Sequence, residues 1–201
     1  MKNPLPSDIF QPGQILNQTY EIEGVLGRGG TGEVYRAVNL VTGRTFAIKA
    51  LIARFSDSGI ILREEQIRKI VHSAVVRYNE CTRTDTGNVI LVMDYIPGGS
   101  LADAMTAGAL TPRDILIVGH RIAEGLAAAH AQGIVHRDLS PDNIILKDGR
   151  PDQATLIDFG IAKDTAEGAQ TIVEGFAGKY EYAAPEQLDG HADARSDVYA
   201  L

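Results

Sequence analysis

The 201-residue sequence has a single cysteine, no tryptophan, no long apolar run and no surplus of basic residues. A lone Cys81 excludes an internal disulfide, and without a CxxC pair or a Cys/His cluster the usual zinc frameworks are excluded as well. Nothing approaches the roughly 18 consecutive apolar residues of a membrane span. The start, MKNPLPSDIF, sets prolines and an aspartate where a signal peptide needs an apolar run. The chain as given is therefore expected to be soluble and cytoplasmic, with no membrane segment. A formal net charge of −7 offers no field to hold nucleic acid. What is present is the composition of an ordinary globular protein, 44% hydrophobic and 22% charged. Its length suits one large domain or two small lobes, at roughly 100–200 residues per domain.

Residues 1–18, rich in Pro, Gln and Asn, are expected to form a lead-in arm. From Tyr20 onward, YEIEGVL, EVYRAVNL and RTFAIKAL are short runs of β-branched and aromatic residues between glycine-bearing turns, the pattern of three consecutive antiparallel strands. The spacing of Ile60, Ile61, Glu64, Ile67, Ile70 and Val71 predicts a helix from about Ile60 to Ser73. Two further strands are expected at VVRYNECT and NVILVMDY, with TDTG as the turn between them. After IPGGS the pattern turns helical. Thr111-Pro112 with Asp114 is a helix start and Gly133 a stop, so Pro112 to Gln132 is predicted as one long helix with Ile115, Leu116, Ile122 and Leu126 on its core face. The runs IIL and ATLI predict short strands around loops that carry polar motifs.

Three of those motifs carry chemistry. LGRGGTGEV places Gly27, Gly29 and Gly32 in GxGxxG spacing, followed by Val34; a dinucleotide-binding fold uses the same spacing, but there the glycines open a helix, and here a strand follows. The glycines are thus expected in a hairpin whose backbone N–H groups lie over phosphates. FAIKA puts Lys49 on a strand beside that hairpin, where an ammonium can reach phosphates if a carboxylate holds it. Glu64 is the expected partner and Glu65 the alternative. HRDLSPDN and, some twenty residues on, Asp158-Phe159-Gly160 supply Asn143 and Asp158 as hard oxygen ligands for a magnesium ion and Asp138 as a proton acceptor. His136 is expected to brace its loop rather than act as an acid, and His72 and His130 to be packing or surface residues.

As an ordered set, GRGGTGEV, AIK, HRDLSPDN, DFG, AAPEQL and SDVYAL resemble the eukaryotic-type serine/threonine protein kinases also found in bacteria, from about Tyr20 to Leu201. The resemblance implies an α+β, bilobal protein-kinase-like fold. Its N-lobe (19–96) would be an antiparallel sheet with one helix, and its C-lobe (97–201) mainly helical and incomplete. It implies ATP and Mg2+ as cofactors and a protein with a serine or threonine hydroxyl as partner. Lys49, paired with Glu64, would hold phosphates, Asp138 would be the catalytic base, and Asn143 and Asp158 the metal ligands. Leu26, Gly27, Gly29, Gly32, Val34 and Ala47 would line the nucleotide site, with Met93 as gatekeeper and Asp94 to Ile96 as the hinge that meets adenine. Asp197 would brace the catalytic loop, and Arg137 would pair with a phosphorylated Thr171 or, less centrally placed, Thr165.

The sequence departs from the family pattern at two places. Ser140 stands where a lysine normally contacts the transferred phosphate, and Lys179 stands where a threonine normally precedes the APE motif. In the family these positions face each other across the substrate hydroxyl. Lys179 is therefore expected to supply the charge that Ser140 lacks, the alternative being a solvated Lys179 in a degenerate site. Family members continue past SDVYAL through more helices and give the APE glutamate an arginine partner, so Glu186 is expected without that arginine and the isolated chain to be marginally stable or to aggregate. A nucleotide-binding pseudokinase and a small-molecule phosphotransferase of the same fold are the competing readings. The arginine of HRD and the APE segment oppose the second of these.

Overall fold

The computed structural model describes residues 9–52, 66–159 and 180–201, which divide between two compact units, 9–52 with 78–95 and 66–77 with 96–159 and 180–201. Six strands build the first unit: β1 (Ile15–Leu16), β2 (Tyr20–Gly29), β3 (Gly32–Asn39), β4 (Thr45–Leu51), β5 (Tyr78–Arg83) and β6 (Val89–Asp94). They form one antiparallel sheet in the order β1-β2-β3-β4-β6-β5. The predicted glycine turn is a tight hairpin, because β2 runs on through the glycines until Arg28 pairs with Glu33 and Gly29 with Gly32. Gly32 has no alternative here: a Cβ would sit 2.1 Å from the Ala50 carbonyl oxygen on β4.

Strand alternation sorts the side chains onto two faces. One face is an apolar cluster of Leu16, Tyr20, Ile22, Tyr35, Ala37, Phe46, Ile48, Ala50, Ile90 and Val92. Register puts Val34 opposite Lys49, Lys49 opposite Leu91 and Ala47 opposite Met93, so these five residues share the other face. The stretch before Tyr20 belongs to the apolar face: Phe10 is fully buried with its ring 5.5 Å from that of Tyr35, and β1 pairs with β2.

The second unit has a small antiparallel sheet, β7 (Gly98–Ser100), β8 (Ile144–Lys147) and β9 (Ala154–Leu156), in chain order. With it stand the helices α1 (Leu101–Thr106), α2 (Pro112–His130), α3 (Pro185–Leu188) and α4 (Ala194–Ala200). Capping boxes start both α1 and α2, from Ser100 with Asp103 and from Thr111 with Asp114. Helix α2 ends two residues before the predicted Gln132, and Gly133 follows at φ 72°. Its buried stripe is Val118, Ile122, Gly125, Leu126 and Ala129.

Two expectations need correction. Ile115 and Leu116, placed in the core by the sequence pattern, are 56% and 74% exposed. Leu116 lies about 200° around the helix from Val118, and Ile115 sits in the first turn. Of the helix predicted over 60–73, only 66–73 is described, and it stops at Ile67; turn bonds from Lys69 and Ile70 back to Gln66 and Ile67 follow. Ile67 and Ile70 are buried, but Val71 is 91% exposed, because helical periodicity no longer sets its direction. Residues 74–76 then run beside β9, with Val76 N–H donating to the Leu156 carbonyl at 2.9 Å and Leu156 N–H to that of Ala74 at 2.8 Å. Among the described residues no helix is long and apolar enough to cross a membrane.

Candidate active site

In the first unit, Lys49 sits mid-strand between Ile48 and Ala50 and is only 7% exposed. Ala47 and Met93 are buried on its face, and Gly27 pairs with Val34 at the edge of that face. Leu26 stands at an irregularity between Val25 and Gly27 and is half exposed. Gly27 and Gly29 keep ordinary φ values, as Gly32 does, but a Cβ on either would meet nothing within 4 Å. Neither packing nor backbone conformation requires glycine at those two positions, which leaves the open approach that a phosphate needs. The Asp94 side chain accepts from Asn79 Nδ2 at 2.9 Å and faces Arg44 at 3.5 Å, and Ile96 opens the second unit.

In the second unit the HRD segment is held from beneath by Asp197 of α4. This carboxylate is 1% exposed, and both its oxygens are occupied. Oδ2 accepts from His136 N–H at 2.8 Å and lies 2.7 Å from His130 Nε2, while Oδ1 accepts from Arg137 N–H at 2.8 Å. The Arg137 carbonyl accepts from Gln187 Nε2 at 3.1 Å, and Gln187 Oε1 in turn accepts from Ala184 N–H at 3.1 Å. Arg137 is thereby fixed at φ 64°, in the left-handed region that costs a non-glycine residue about 1–3 kcal/mol. Asp158 takes the same region at φ 59°.

His136 is fully buried, its ring 4.6 Å from that of Phe159. Burial pushes its imidazole below the ordinary histidine value, against the pull of Ile157's carbonyl and of Asp197, Asp138 and Asp158. A neutral ring has one donor. Nδ1 accepts from Asp138 N–H at 3.2 Å, so the proton is on Nε2, which donates to the Ile157 carbonyl at 2.9 Å. The residue is a brace between the loop and β9, as its position in the sequence suggested.

Asn143 ends the 3-10 turn Pro141–Asn143 and leads into β8. Its Nδ2 donates to the Asp138 backbone carbonyl at 2.7 Å and lies 3.3 Å from Asp138 Oδ2. Its own carbonyl accepts from Ile157 N–H at 2.9 Å, which places Asp158 one residue beyond the β8–β9 pairing. Because Nδ2 is committed, the oxygen donor of this amide is Oδ1. Among the described residues no three His, Cys, Asp or Glu side chains cluster to hold a metal. An amide oxygen and one carboxylate instead suit Mg2+, which keeps waters and phosphates among its ligands.

Ser140 is 1% exposed, and its Oγ has no hydrogen-bond partner among the described residues. Glu64, Glu65, Thr165, Thr171 and Lys179 lie outside the described residues. Glu186 is half buried and its Oε1 accepts from Ser196 Oγ at 2.8 Å. His130 is largely buried, and its Nε2 lies 2.7 Å from Asp197 Oδ2, a contact that the sequence reading did not foresee. Sequence reasoning missed Gln187 altogether; its place directly after APE was the one available signal.

The protein kinase domain model matches residues 20–201. The chain is 38% identical over 197 residues to serine/threonine-protein kinase pkn2 of Myxococcus xanthus, which covers 93% of this chain and 24% of that protein. It is 36% identical over 189 residues to PknH of Mycobacterium tuberculosis, covering 90% and 30%. PknL of Mycobacterium bovis is 32% identical over 194 residues, covering 93% and 48%. The chain thus spans between a quarter and a half of these curated relatives. Among solved structures, the Mycobacterium tuberculosis PknI kinase domain superposes with a TM-score of 0.73 at 26% identity over 95% of this chain and 72% of that one. Rad53 1-466 in complex with AMP-PNP gives 0.75 at 29% over 90% and 46%. With its motifs in family order and the family model matched from residue 20 to 201, the chain belongs to the protein kinase family.

Proposed function

We propose that this chain is an ATP- and Mg2+-dependent protein kinase that transfers the γ-phosphoryl group to serine or threonine hydroxyls of proteins. The observation that carries this reading is the bonded set around Asp138. Asn143 Nδ2 holds its backbone carbonyl, His136 Nδ1 its N–H, and Asp197 the two residues before it. Asp138 is left partly exposed at the end of a fixed loop, the state needed by a group that accepts a proton from an incoming hydroxyl. Asn143 Oδ1 and Asp158 are the residues that would hold Mg2+, which when bound neutralises phosphate charge. Support for the nucleotide comes from the open backbone at Gly27 and Gly29, from Lys49 on the same face as Val34, Ala47 and Met93, and from the AMP-PNP bound by the structural relative. Catalysis in such a site is mostly positioning and charge neutralisation.

Lys49 would draw phosphates toward the sheet with Glu64 as its partner, and Lys179 would provide the cation that Ser140 does not. The check is γ-labelled phosphate transfer to a mixed basic protein substrate. Asp138→Asn is expected to lower the rate at least about 100-fold while nucleotide binding is kept. Transfer undiminished in that variant would remove Asp138 from the reaction.

A further inference from the structure

Glu33 is the one carboxylate buried within the sheet face otherwise occupied by Tyr35, Ala37 and their apolar neighbours, and its side chain is 4% exposed. Three donors converge on it. Ile9 N–H donates to Oε2 at 2.8 Å, the Tyr35 hydroxyl donates to the same oxygen, and Arg28 Nε donates to Oε1 at 3.2 Å. The Tyr35 hydroxyl oxygen also accepts from Phe10 N–H at 3.0 Å. The segment before β1 is anchored at its far end as well, with Gly13 N–H donating to the Ile22 carbonyl at 2.7 Å and Ile22 N–H to that of Gln14 at 2.9 Å.

Two facts make this more than packing. Arg28 lies between Gly27 and Gly29 and pairs with Glu33 across the hairpin, so one carboxylate joins the N-terminal segment to the glycine turn itself. A buried ionised group is also a poor source of net stability, since an apolar residue of similar size usually serves as well. What a charged acceptor with three fixed donors adds is geometry. Arg28 and Glu33 face each other within the hairpin, so its tip cannot lift away without parting Glu33 from Ile9 N–H, and the Tyr35 hydroxyl that shares this oxygen holds Phe10 N–H.

We propose that residues 9–14 are a strap that sets the glycine hairpin from the side of the sheet opposite Lys49, with Glu33 as the positioning residue through which it acts. This rests on the nucleotide reading above, because the hairpin is where phosphates would be held. A loosened hairpin then weakens nucleotide binding more than it slows transfer.

The test uses the 1–201 chain with Phe10→Ala, Glu33→Ala and the conservative Glu33→Gln, which keeps an acceptor for Ile9. Hydrogen–deuterium exchange is expected to quicken by about tenfold over residues 24–34 in the first two variants, with β4 and β6 protected as in the parent. The KM for ATP should rise about tenfold with kcat within about twofold, and Glu33→Gln should recover most of that loss. Unchanged exchange at 24–34, or an equal rise throughout the first unit, overturns the strap. So does a fall in kcat at constant KM. A parent that binds no ATP refutes the proposed function instead, and the exchange pattern alone then decides the strap. If Glu33→Ala does not fold, Phe10→Ala and Glu33→Gln carry both readouts.

Discussion

Single side chains in this protein are constrained less by what they touch than by which hydrogen bonds have no substitute. Asp197 shows the point, since only a carboxylate offers enough acceptors for two backbone N–H groups and His130 together. Ser140 is the reverse case, a buried hydroxyl without a partner among the described residues. Ser140→Ala is therefore expected to leave stability unchanged or raise it by up to about 1 kcal/mol, and to leave transfer intact, whereas Lys179→Ala lowers transfer. Thermal denaturation and an initial-rate assay check both halves; equal rates in the parent and the Lys179 variant would rule out a relocated cation. His136 predicts a pH effect. Its folded value is depressed, so the unfolded chain takes up a proton that the folded chain refuses. Its contribution is whole above about 6.5, the ordinary histidine value, and is lost as pH falls below it. Denaturant midpoints should drop between about pH 7.5 and pH 5.5, and a His136→Asn variant should drop less.

The glycine hairpin separates two reasons for glycine within one motif. Gly32→Ala drives a Cβ into the Ala50 carbonyl and should cost about 3 kcal/mol as β3 parts from β4. Gly27→Ala and Gly29→Ala meet no obstacle and should keep their midpoints, yet bind nucleotide more weakly. Urea melts beside a fluorescent-nucleotide titration distinguish the two classes. Elements such as these were legible because their signals are local. Alternation marked β2 through β6, and Thr111, Pro112 and Gly133 marked α2 to within two residues at its end. Leu116 was misread because it lies about 200° around the helix from Val118, off the buried stripe, and Val71 because the helix stops short of it. The burial of Phe10 was not legible at all, since it depends on Tyr35 and Glu33, more than twenty residues away in the sequence.

Across the molecule, the motif order identified the family, but the contacts that make the motifs a site were hidden in it. His130, Gln187 and Ser196 join HRD, APE and α4 into one bonded body, and their types alone would suit any surface. The central claim, that this body performs phosphoryl transfer, is tested most directly by the intact mass of the 1–201 chain after incubation with magnesium and ATP, beside an Asp158→Ala control. The account predicts phosphate added to the parent and absent from the control, at Thr165 or Thr171. A folded parent that binds ATP but gains no mass, and phosphorylates no added protein, would contradict it.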